Sequence, residues 1–161
     1  MKGSKITSLT AILICIFSML IFAGCTNKSG STIDEPEITP DYLINDYSQQ
    51  LITDGGESML GHVTMEKTDG IYAVHFAEKD VVPSSEYEDG YYIADTNVSM
   101  EATLGSDARF VCIHDGKEVV SNPKEFIKHQ NEDEERLYYV YFLGTSAELI
   151  IEVEPENVVV E

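Results

Sequence analysis

Three groups of side chains in this chain stand out as able to bind a metal or move a proton. His62, Glu66 and His75 lie in one stretch of alternating apolar residues. Imidazole and carboxylate are zinc ligands, and zinc needs three or four ligands within about 2 Å of one point. Two histidines diagonally opposed on paired strands meet that reach. His62 and Glu66, four residues apart on one strand, stand roughly 13 Å from each other. His62 and His75 are therefore the candidate metal ligands, set against the plainer expectation of two histidines on a solvated strand face. Glu132, Asp133, Glu134 and Glu135 carry the oxygens that calcium takes. They lack the alternate spacing and turn glycine of a calcium loop, and read as a solvated charged loop. Cys112, in RFVCIH, has no histidine at a spacing that argues for a thiol–imidazole pair and is expected to be a small buried hydrophobe.

The tyrosines are the other candidates, nine in all. Tyr91 and Tyr92 on one strand-like run, and Tyr139 and Tyr141 on another, offer flat faces to a glycan, a peptide or an aromatic ligand. Tyr139, Tyr141, Leu143 and Ile150 are expected on one outward face of the last hairpin, which is too apolar to stay wet. Either a helix of the same chain or an external partner must cover it. A nucleophile elbow, a serine–lysine pair, a HExxH zinc motif, a phosphate-cradling glycine loop and a CxxC pair are all missing from the sequence. No cofactor is expected.

The elements that hold these residues are short. Thr39 and Pro40 read as the cap and first position of a helix, along which Leu43, Tyr47 and Leu51 recur every fourth residue, and Asp54, Gly55 and Gly56 stop it. From Ser58 the period becomes two. Asp69 and Gly70 are a strong hairpin signal; taken as the loop they pair Thr68 with Ile71, Met65 with Val74 and Val63 with Phe76. Val63, Met65, Val74 and Phe76 then share the core face, and His62, Thr64, Glu66 and His75 the other. GYYIAD opens a bent strand or two short ones, and GSDA at 105–108 reads as a turn. RFVCIH and the Asp115–Gly116 turn follow. Asn122, Pro123 and Glu125 form a capping-box start for a short helix with Phe126 and Ile127 as its apolar contacts. A closing hairpin around Thr145 and Ser146 is expected to set Phe142 against Leu149 and Val140 against Ile151. The order predicts an α+β fold, mainly antiparallel β, as a small OB-like barrel or rolled sheet with an N-terminal helix and a short helix before the last hairpin.

Lys2 and Lys5 precede an apolar run over residues 6–22, which ends in Ala23 and Gly24 directly before Cys25 and the polar TNKSGST. This is the three-part grammar of an export signal. It resembles the lipobox of bacterial lipoproteins, with Phe22 at a position where leucine is commonest. The resemblance implies cleavage before Cys25, lipid on its sulfur, and a protein anchored in the cell membrane and facing its extracytoplasmic side. Residues 1–24 are then signal, 25–39 a lipidated flexible tether, 40–154 one globular domain, and 155–161 a tail or edge strand. An uncleaved spanning helix is the alternative, though the run falls at the short edge of the about 20 residues a span needs.

The chain has 161 residues, enough for one domain, with 29 acidic and 10 basic side chains and a formal charge of −19. Such a surface repels phosphate backbones, which excludes nucleic acid as a partner and favours a cationic ligand or an envelope protein alongside the bilayer. The body is similar, through GHVT at 61–64, GYYIADTN at 90–97, LGSDARF at 104–110 and NPKEF at 122–126, to an uncharacterised domain of exported proteins in low-GC Gram-positive bacteria. That resemblance implies a compact β-rich body and no activity. A non-enzymatic binding or protein-interaction module is the expected function. The alternatives are a metal-dependent or carboxylate-based envelope hydrolase and a structural accessory subunit of a membrane complex.

Overall fold

A computed structural model of the chain describes residues 36–158. The expected signal, the lipidated Cys25 and the tether up to residue 35 lie outside the described residues. The N-terminal helix, α1, runs as a π-helical stretch Tyr42–Tyr47 into an α-helical Ser48–Thr53. Its start is the expected one: the Tyr42 amide donates to Thr39 Oγ1 at 3.2 Å. Its end uses Gly55 at φ +90, where a side chain would be strained.

Six strands follow: β1 Glu57–Thr68, β2 Ile71–Pro83, β3 Tyr91–His114, β4 Lys117–Ser121, β5 Leu137–Leu143 and β6 Ser146–Val153. A second helix, α2 Pro123–Gln130, lies between β4 and β5, and a 3₁₀ turn Pro155–Asn157 follows β6. The described residues are mainly β with two helices, an α+β fold. The sheet order is β2-β1-β5-β6-β3-β4, and β2 also pairs with β3, so the sheet closes into a ring with β4 on its outer edge. Five strands form the ring, and an odd number cannot alternate direction all the way round. One junction must be parallel, and it is β3 with β6; the other pairings are antiparallel.

The β1–β2 hairpin has the expected register, with Thr68 opposite Ile71, Met65 opposite Val74 and Val63 opposite Phe76. Asp69 and Gly70 both have positive φ, as a two-residue type I′ turn requires. Two local expectations fail. GSDA is not a turn: β3 runs through it, and the pairing with β6 shifts register between Leu104 and Arg109. Residues 105–108 themselves pair with no neighbour; the pairings that flank them, Thr103 and Leu104 before and Arg109 and Phe110 after, carry the strand past the turn-forming residues, which survive as a bulge. The last hairpin turns at Gly144 and Thr145, not at Thr145 and Ser146, because glycine supplies the positive φ. Leu143 faces Ser146, a bulge intervenes, and Tyr141 then faces Leu149 and Val140 faces Ile150. The one-residue change turns Ile150 inward and Leu149 and Ile151 outward.

Inside the ring Val63, Val74, Phe76, Phe110, Val140 and Ile150 form the main core, with Phe126 of α2 closing one end. A second cluster packs Leu43 and Leu51 of α1 against Val111, Leu149 and Ile151, with Tyr141 at its margin. Tyr139 and Tyr141 on the apolar outer face of the β5–β6 hairpin are thus packed from within the chain, while Leu143 at its tip stays exposed. The third cluster joins Leu60 and Leu137 to Val158, with Tyr139 packed beside them. Over its described part, the segment expected as a tail or edge strand is a turn that tucks Val158 into this cluster.

Candidate functional site

The outer face of β1, β2 and β3 carries the candidate histidines. Thr64 pairs with His75, and His75 with Glu101 on the far side. His75 therefore sits mid-sheet, its Nε2 3.6 Å from Glu66 and its Nδ1 3.5 Å from Glu101. His62 is one diagonal step away. Its Nδ1 lies 3.0 Å from the Arg136 carbonyl oxygen and donates to it. His62, Thr64, His75, Ser99, Met100 and Glu101 line an open groove of about 360 Å³. A second hollow of about 290 Å³ shares His62 and Thr64 and continues to Lys79, Gln130, Glu134 and Glu135. Lys79 forms an exposed ion pair with Asp95, and this hydrogen bond and charge hold the Asp95 carboxyl below its usual range. Part of the acidic run thus walls a surface hollow. What the face offers is a row of carboxylates around two imidazoles, suited to a cation.

The four candidate tyrosines do not form one surface. Tyr141 is packed at the edge of the α1 cluster and Tyr139 against the Leu60–Val158 cluster. Tyr91 donates its hydroxyl to the Pro155 carbonyl, which ties the 3₁₀ turn to the start of β3. Tyr92 is partly exposed and rests against Tyr87, ring centroids 5.3 Å apart, near the tip of the β2–β3 hairpin.

Sequence reasoning missed a buried polar group where α2 meets the ring. Glu152 of β6 accepts from His129 Nε2 at 2.7 Å, from Arg136 Nη1 at 2.5 Å and from the Ile113 amide at 2.6 Å. Burial works against the Arg136 charge, but the hydrogen bond and charge of Glu152 overcome it and raise its pKa. Cys112 stands beside them, fully buried, and burial pushes its thiol up to about 11. Burial, followed by the Glu152 charge, also raises the Tyr138 phenol. A thiol so protonated and closed off is no nucleophile at neutral pH. Next in the chain, Gln130 donates from Nε2 to the Met65 carbonyl at 2.7 Å and accepts from the Met65 amide at 2.8 Å. Beyond Gly61 and Tyr138 no β1–β5 pairing is recorded, and the Gln130 side chain serves the freed backbone. A faint signal existed in the polar Glu152 amid the apolar run LIIEV, and in His129, three residues after Phe126 on the apolar side of α2.

Among the described residues no helix is long and apolar enough to cross a membrane. No family model, no curated protein and no solved structure matches the chain.

Proposed function

We propose that the chain is a lipid-anchored extracytoplasmic protein whose body is an OB-like barrel acting as a non-enzymatic binding module for a cationic ligand of the cell envelope. The open groove on the outer face of β1–β3, lined by His62, His75 and Glu101, with Glu66 3.6 Å from His75, carries the reading. The OB-like assignment rests on the ring order β1-β2-β3-β6-β5, with a helix before the last hairpin. OB barrels bind extended ligands across the face of their second and third strands. Here that face is acidic, which favours a lysine-rich peptide or an amino-sugar chain over nucleic acid. Anchoring rests on Cys25 and the apolar run before it, and two or more acyl chains give stable attachment where one is marginal.

Calorimetric titration with lysine-rich peptides and amino-sugar oligomers tests the binding reading. Saturable heat is expected, weakened roughly tenfold by Glu66→Gln with Glu101→Gln and by raised salt. Absence of heat with every cationic probe refutes it. Cell fractionation tests the anchor: Cys25→Ser should move the protein out of the membrane fraction. The hydrolase reading draws on the same histidine between two carboxylates; turnover of an envelope glycan, abolished by His75→Ala, would favour it instead.

A further inference from the structure

Among the described residues, thiol, imidazole and carboxylate converge at one place, the buried junction of β3, α2 and β6. Cys112, His129 and Glu152 each offer a ligand atom, and these atoms lie within 4.8 Å of one another. The three residues are 0%, 3% and 7% exposed. Two further observations set the junction apart from ordinary packing. Tyr138, 1% exposed and opposite Glu152 on the β5–β6 ladder, has a hydroxyl with no hydrogen-bond partner, and Glu152 and Cys112 are among the groups that bear on it electrostatically. His129 Nδ1 is buried and equally unpartnered, with a Glu132 carboxylate oxygen 3.8 Å away. A buried polar atom left without a partner costs about 1–3 kcal/mol, so two of them beside one such cluster ask for an occupant.

We propose that Cys112, His129 and Glu152 bind a divalent transition metal of the zinc class. Thiolate and imidazole select such an ion over calcium or magnesium, which take oxygen. Tetrahedral geometry, with metal–sulfur near 2.3 Å and metal–nitrogen near 2.0 Å, sets ligand atoms about 3.5 Å apart, so the His129–Glu152 pair, now 2.7 Å apart, opens slightly to admit the ion while the set as a whole stays within its present 4.8 Å span. His129 ligates through Nε2, now hydrogen-bonded to Glu152 Oε2, and its proton passes to Nδ1, which faces Glu132. That completes the carboxylate–histidine–metal arrangement that orients most ligating histidines. Arg136 keeps the other oxygen, Glu152 Oε1, and the Tyr138 hydroxyl gains an acceptor in the metal-bound thiolate. The Cys112 thiol releases one proton to solvent as the metal–sulfur bond forms, and nothing is oxidised or reduced. Closed off from solvent, the ion fastens α2 to β3 and β6 and touches no substrate.

Cobalt(II) titration of the full chain in detergent, after stripping with a chelator, tests this. One cobalt per chain is expected, with a thiolate-to-cobalt charge-transfer band in the near ultraviolet, one proton released per ion and a raised thermal midpoint. Cys112→Ser should abolish the band while far-ultraviolet circular dichroism stays native. Should that variant fail to fold, Glu132→Gln, at a half-exposed carboxylate, decides: it should weaken cobalt binding about ten- to hundredfold. A wild-type protein without the band overturns the proposal. So does a band that persists in Cys112→Ser, which would place the thiolate at another cysteine, or an affinity unmoved by Glu132→Gln.

Discussion

Gln130 does the work of a strand with a single side chain. Its amide meets both the N–H and the C=O of Met65, each buried where β1 has parted from β5. Gln130→Leu fills the same space but strands both backbone groups, and should cost about 3 kcal/mol, read as a lower urea midpoint with unchanged m. Cys112 sets an alkaline limit on the metal-free protein. Its folded pKa of about 11 lies above the unfolded value near 9, so between those pH values the folded state holds a proton that the unfolded chain has lost. Stability therefore falls as pH rises through that window, by about 2 kcal/mol, and the raised Tyr138 phenol extends the decline above pH 10. Urea titrations at pH 8.5 and 10.5 should show the Cys112 share of this loss vanish in Cys112→Ala. None of these groups was legible as a cluster. Gln130 meets Met65 across 65 positions, and His129 meets Glu152 across 23, separations over which one sequence carries no periodic signal.

What could be read were features whose cause is local. Asp69–Gly70 and Asp115–Gly116 both adopt positive φ at consecutive turn positions, and the first sets the whole β1–β2 register. The Asn122–Glu125 capping box forms as expected, the Asn122 side chain accepting from Lys124 and Glu125 and the Glu125 carboxylate accepting from the Asn122 amide. The features that failed are those tertiary pairing decides: the pairings on either side of GSDA carry β3 through it as a bulge, and a bulge after Gly144 resets the last hairpin. Gly61 belongs to the same class. It is the point where β1 pairs with both β2 and β5, opposite Glu78 and Tyr138. A Cβ there would collide with the Ala77 carbonyl and the Phe76 ring. Gly61→Ala should destabilise by about 2 kcal/mol or more through overpacking, measured by thermal unfolding, whereas alanine at an exposed strand position such as Thr64 should change it far less.

The ring divides the molecule into a covered side and an open one. α1 and the turn at Pro155–Asn157 close over the β5–β6 face, which removes Tyr139 and Tyr141 from contention as an external docking surface. Among the described residues nothing covers the β1–β3 face in this way, and it holds the open groove lined by His62, His75 and Glu101, with Glu66 beside His75. With a formal charge of −19, long-range attraction brings cations to every side of the body, so weak association alone says little. Location is what distinguishes a binding face from a charged surface. Mapping by ¹⁵N chemical shifts, with a lysine-rich peptide titrated into the labelled protein at moderate salt, reads location directly. Saturating shifts confined to residues 62–66, 73–77 and 99–103 are predicted. Shifts scattered over the acidic surface that vanish with salt, or shifts centred on α1 and β5–β6, would contradict the account.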